Sequence, residues 1–220
     1  IVAMIVMMII VIVLVVVRLM IVVLRRHRRA DRVQRPVQVV GHQVGDVFPS
    51  CDEQKNIVIN GVKGSTEDVF CRIESNVKNL TIKNVRGSCG TAAFTNICSD
   101  GYCFCMENVL LEDWAVEGCQ VGIEIGGEVK CSNFTVKNSV FSAPAAQDSI
   151  GIRLSGEGKS LELTRMMFDN VVFEGFATGL KAGSDVLIGD SVRIINSDFA
   201  SAENDVDIPG GKVKIDGRDL

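Results

Sequence analysis

The chain has 220 residues, 47% of them hydrophobic and 5% aromatic, a length that holds one ordinary domain plus an appendage. Charge is uneven: residues 1–50 carry seven Arg against Asp31 and Asp46, which leaves 16 basic and 25 acidic residues, net −9, in 51–220. An acidic body excludes a general nucleic-acid binder, because a phosphate-tracking surface needs clustered Lys and Arg.

Residues 1–24 contain 18 Ile, Val or Leu, four Met, one Ala and a single Arg, Arg18. Ile1–Val17 is unbroken and Leu19–Leu24 extends the run past Arg18. As a helix this stretch spans roughly 26–36 Å, which matches the hydrocarbon core of a bilayer. On insertion scales the aliphatic residues contribute about −5 to −11 kcal/mol against about +3 for one central Arg. Arg18 also lies towards the basic end, where its head can snorkel to the interface. A secretory signal would need a basic start, a shorter apolar core and a small-residue cleavage site. A buried core helix would be less uniformly Val and Ile. The sequence therefore predicts one transmembrane α-helix over 1–24.

Residues 25–50 read as a basic juxtamembrane collar and linker. Arg25, Arg26, Arg28, Arg29, Arg32 and Arg35 follow Arg18 as the anchor flank. Under the positive-inside rule they keep the body on the cytosolic face. The collar sits against anionic headgroups, or serves only as a stop-transfer flank. Gly41, Gly45, Pro36 and Pro49 interrupt any sustained period before the body begins.

From residue 51 onwards a short unit recurs. It is seen in Asn56-Ile-Val-Ile-Asn60, Asn79-Leu-Thr-Ile-Lys-Asn84, Asn108-Val-Leu-Leu-Glu-Asp113 and Asn133-Phe-Thr-Val-Lys-Asn138. Looser copies start at Ser160, Ser191 and Lys212. Starts 21 to 31 residues apart are the signature of a solenoid. Period-2 alternation, β-branched residues and flanking Asn or Gly make the unit a strand. A second, Gly-led strand follows in Gly122-Ile-Glu-Ile125, Gly151-Ile-Arg-Leu154 and Gly179-Leu-Lys181.

Over 51–220 the chain resembles the pectate-lyase-like right-handed parallel β-helix superfamily, at the level of fold. The resemblance implies an all-β right-handed parallel β-helix of about seven rungs, preceded by the single transmembrane α-helix. Asn suits the corners because it tolerates left-handed backbone and hydrogen-bonds nearby groups. Seven rungs make a body roughly 34 Å long, short for a polysaccharide enzyme of this class. The superfamily hosts lyases, hydrolases, tailspikes and structural proteins, so function must come from a site.

A pectin-type hydrolase would show paired carboxylates with a nearby His and a basic clamp. The only histidines, His27 and His42, precede the repeat. Glu112, Asp113, Glu124, Asp205 and Asp207 are the carboxylate candidates, and the plain alternative is that they are outward polar residues of half-buried strands. Eight cysteines end at Cys131. Cys89, Cys98, Cys103, Cys105 and Cys119 form a candidate disulfide or thiol cluster, with buried free thiols as the alternative. Zinc would want paired knuckles, and only Cys98 and Cys103 approach that spacing, so no metal or cofactor is expected. Trp114 and Tyr102 are the only large amphipathic aromatics for a glycan surface.

A rod with no assembled catalytic set, carried by one membrane helix and an arginine collar, points to a structural, non-enzymatic role. Its expected partners are the lipid bilayer and other structural proteins, with no nucleic acid. The setting that fits the architecture is a minor capsid protein linking the internal membrane of a large DNA virus to its shell. The alternatives are a membrane-tethered polysaccharide lyase or hydrolase and a glycan- or receptor-binding β-helix.

Overall fold

The computed structural model describes residues 37–38, 54–73, 76–97, 104–144, 148–158, 160–189, 192–199, 204–207, 213–215 and 218–219. These residues form strands, turns and bends without a helix, and none is a helix long and apolar enough to cross a membrane. The apolar run of 1–24 lies outside the described residues, as do Arg18, Arg25, Arg26, Arg28, Arg29, Arg32 and Arg35.

The strands in chain order are β1 (Val37–Gln38), β2 (Gln54–Ser65), β3 (Cys71–Arg72), β4 (Val77–Ser88), β5 (Ala92–Thr95), β6 (Phe104–Glu117), β7 (Val121–Gly126) and β8 (Val129–Ser142). They continue as β9 (Ile150–Ser155), β10 (Leu161–Glu174), β11 (Thr178–Ala182), β12 (Val186–Ile188), β13 (Val192–Ile195), β14 (Asn204–Asp207), β15 (Val213–Ile215) and β16 (Arg218–Asp219). One sheet runs β1-β2-β4-β6-β8-β10-β13-β15-β16, with β12 also on β10. The other runs β14-β11-β9-β7-β5-β3. All neighbours pair in parallel except β15 and β16, which are antiparallel. Alternation of the chain between two parallel sheets makes the body a β-solenoid of about four turns. The full coils run from β2 to β10, and the units expected near Ser191 and Lys212 supply only strands of four and three residues.

Stacked left-handed corners shape each coil. Asn56, Asn79, Asn108, Asn133 and Arg165 form one column, each with φ between 53° and 58°. A second column holds Asn84, Asp113, Asn138, Asn170 and Asn196, headed by Gly61. L-residues disfavour this conformation, and Asn accepts it best among those with a side chain. In the first column each Asn after Asn56 also donates to its neighbour one coil earlier: Asn79 Nδ2 to Asn56 Oδ1 at 2.8 Å, Asn108 to Asn79 at 2.8 Å and Asn133 to Asn108 at 2.7 Å.

The repeated motif is thus one flat face bracketed by two corners, with four residues between them. Two of the four point inward, as Leu80 and Ile82 do, and two outward, as Thr81 and Lys83 do. Across a corner the buried positions fall three apart, as Val77 to Leu80 and Ile82 to Val85, instead of two. The unit expected from Ser160 is displaced. Phe134 pairs with Met166 and Lys137 with Asp169, so Arg165–Asn170 is the counterpart of Asn133–Asn138, while Leu163 stacks on Cys131. Arg165 holds the corner usually held by Asn, which conceals the register in the sequence.

Parallel in-register pairing stacks like on like, so the core is built of columns. Phe141, Phe173 and Phe199 stack with ring centroids 5.4 Å apart at each step. Phe94, Phe134 and Trp114 extend the aromatic interior. The glycines that open second-sheet strands are there for space. A Cβ at Gly122 would lie 2.6 Å from the Gly151 carbonyl oxygen and 3.0 Å from the Phe173 ring.

Candidate functional site

Glu112 is an outward residue on the flat face between the two corner columns, where Lys137 on the next coil approaches it at 3.2 Å. Asp113 is itself a corner residue with φ 57°, and its carbonyl accepts a hydrogen bond from Arg86 Nη1. Glu124 lies on β7 in the other sheet. Asp205 and Asp207 lie on β14, the edge strand of that second sheet.

These placements do not bring the candidates together. Glu112 and Glu124 belong to different sheets. Glu124 and Asp207 share one column through Arg153 and Lys181, but three coils separate them, about 14 Å. Glycosidase carboxylates work at about 5–10 Å, flanking one bond. Glu112 and Asp113 are adjacent in the chain but the second is a corner, and Asp205 and Asp207 stand two residues apart on the edge strand β14.

The most structured polar group in the body surrounds Glu124, which is 8% exposed. Thr95 Oγ1 donates to Glu124 Oε2 at 3.0 Å, and Arg153 Nη1 donates to Oε1 at 3.0 Å. The three residues occupy the same register position on β5, β7 and β9. Next to them Asn96 is fully buried and pairs with Gly126 of the following coil. It donates to the carbonyl at 3.1 Å and accepts from the N–H at 2.9 Å, so its amide stands in for a ladder peptide. The carboxylate is held by both oxygens, an arrangement that ties three adjacent coils together.

Other charges follow the same rule. Lys78 Nζ donates to Glu107 at 2.7 Å and Lys130 meets Glu162 at 3.5 Å, each pair on neighbouring coils. Asp185, in the turn between β11 and β12, reaches the β9–β10 turn of the preceding coil. The Gly158 N–H donates to it at 2.9 Å, and that bond holds its carboxyl below the usual carboxylate range.

Cys71, Cys89, Cys119 and Cys131 are buried thiols that form no disulfide. Cys98 and Cys103 lie outside the described residues. Cys89 and Cys119 hydrogen-bond each other at the corner that follows the first sheet, which lowers Cys89 and raises Cys119. Burial pushes Cys71 and Cys131 up to about 12. Cys105 is exposed, so the expected five-residue cluster divides at least into a buried pair and an outward thiol. Among the described residues no group of three or more His, Cys, Asp or Glu is placed to hold a metal.

Trp114 is not a surface aromatic. It is 1% exposed and its Nε1 donates to the Ile82 carbonyl at 3.0 Å, so it is a core residue with its polar edge satisfied inside. Tyr102 lies outside the described residues.

Thr95, Asn96 and Arg153 were not singled out by sequence reasoning, although a signal existed. Glu124 and Arg153 occupy the same place in successive Gly-led strands, and parallel register stacks their opposite charges. Comparison with protein-family models, with curated proteins and with solved structures finds no match.

Proposed function

We propose that this protein is a non-catalytic scaffold: a right-handed β-solenoid body held at a membrane by the apolar segment 1–24 and the arginine collar behind it. The observation that carries the reading is the use made of the candidate carboxylates. Glu124 is held by Thr95 and Arg153, Glu112 by Lys137, and Asp113 shapes a corner. The Glu124 and Glu112 carboxylates each join one coil to the next. Solenoid bodies contact partners along their length and at their end coils.

The finer setting is a minor capsid protein lying between an internal viral membrane and an icosahedral shell, body on the cytosolic side. It is supported by the architecture alone: an 18-aliphatic anchor, seven Arg in the first 50 residues and a rigid acidic body. The polysaccharide lyase or hydrolase is the rival reading. Full-length protein in nanodiscs is expected to release no reducing ends from polyuronates, and alkaline carbonate is expected to leave it in the membrane pellet. Polymer cleavage that disappears in Glu124→Gln or Glu112→Gln would overturn the scaffold in favour of the enzyme. Release by carbonate would remove the anchor.

A further inference from the structure

We propose that the flat face between the two corner columns is a self-association surface that pairs two copies of this chain in antiparallel fashion, the occupant being a second copy of the same face. Each coil presents two outward residues there. The first column contains the half-buried Thr81, Leu110, Thr135 and Met167, an uncharged stripe of two threonines and two apolar residues. The second reads Lys83, Glu112, Lys137 and Asp169, with signs alternating from one coil to the next.

That order has a consequence for docking. Read backwards, plus-minus-plus-minus becomes minus-plus-minus-plus. A two-fold axis parallel to the strands, in the plane between two such faces, sets each column against itself in reverse. Lys83 then meets Asp169 of the second copy and Glu112 meets Lys137. In the neighbouring column Leu110 meets Thr135 and Thr81 meets Met167.

The register is fixed by repulsion as well as attraction. A slip of one coil sets Glu112 against Glu112 and Lys83 against Lys137, or Lys137 against Lys137 and Glu112 against Asp169. A two-fold axis along the solenoid sets the uncharged column against the charged one. Like-charge contacts of this kind exclude wrong arrangements more strongly than the correct ion pairs add affinity.

The face is roughly six residues wide and about four coils deep, about 400 Å² on each partner. An interface of that size gives weak, reversible association and not a permanent dimer. Confinement to one membrane would raise the effective concentration enough to populate it.

The test is sedimentation velocity of the full chain in mild detergent, from micromolar to several hundred micromolar, since small interfaces dissociate in that range. The wild type is expected to show a concentration-dependent dimer. Lys83→Glu is expected to weaken it on the order of tenfold, because symmetry reverses two contacts at once. Asp169→Lys should do the same, and the double swap should restore dimerisation. Within one copy the double swap is the worse choice, since it sets a new carboxylate beside Glu112 and a new ammonium beside Lys137. Restoration therefore reports the contact between copies. A chain monomeric throughout, a dimer indifferent to Lys83→Glu, or a double swap weaker than either single change would each overturn the proposal.

Discussion

Asn108 offers the sharpest test of how the corners hold the solenoid. Its backbone sits at φ 56°, it donates to Asn79 at 2.8 Å and it accepts from Asn133 at 2.7 Å. Asn108→Ala places an ordinary L-residue in the left-handed region, costing about 1–2 kcal/mol. It also removes two side-chain hydrogen bonds, each worth about 0.5–1 kcal/mol at a half-exposed site. The sum is about 2–4 kcal/mol. Asn108→Gly loses the same two bonds without the steric term, so about 1–2 kcal/mol is expected, plus a few tenths from added freedom of the unfolded chain. Urea unfolding of the full chain, followed by tryptophan fluorescence, reads the difference, because the sole Trp lies in the same coil. If the two variants were equally destabilised, or both lost less than about 0.5 kcal/mol, the corner argument would fail.

Four further outcomes concern the core, the ladders and the cysteines. Trp114→Ala is expected to cost about 3–5 kcal/mol in urea unfolding, while Trp114→Phe, which loses the bond to the Ile82 carbonyl and some volume, should cost about 1–3. Glu124→Ala leaves the Thr95 hydroxyl buried without its acceptor and is expected to cost about 1–2 kcal/mol, with the exposed side of Arg153 adding little. The two thiols raised to about 12 govern alkaline behaviour: their contribution to stability is complete below an unfolded value near 9 and is lost as pH rises towards 12. Between those limits the native state holds more protons, so stability should fall by about 1.4 kcal/mol per pH unit for each thiol, and Cys71→Ala or Cys131→Ala should flatten the slope. In the folded protein at neutral pH a bulky thiol reagent should label Cys105 well before any of these buried cysteines.

The parallel solenoid was legible because its repeat is written in residues with few substitutes. Asn79 and Asn84 bracket Leu-Thr-Ile-Lys, and Asn is the side chain that best tolerates a left-handed corner. Where Arg165 takes that corner, the sequence pattern points to Ser160 instead and places the repeat too early. The charge ladders were harder to see, since Glu124 and Arg153 stand 29 residues apart and meet only when parallel register stacks them. Taken singly, Glu124 looks like a catalytic candidate; beside Thr95 and Arg153 it is a clamp. Trp114 misled for a related reason. An aromatic with one polar atom suits a sugar platform or a core with one free carbonyl, and only the fold supplies the Ile82 oxygen. The bracketed face carried its information in the order of its charges, which sequence periodicity does not display until the coils are aligned.

The scaffold reading is tested most directly by lysine crosslinking in the intact native membrane or particle, followed by mass spectrometry of the products. The account predicts crosslinks from Lys78, Lys130 and Lys181 of the body to another structural protein, from chain that stays with the membrane after alkaline extraction. Recovery of the body only as a free monomer that cleaves a polysaccharide would contradict it.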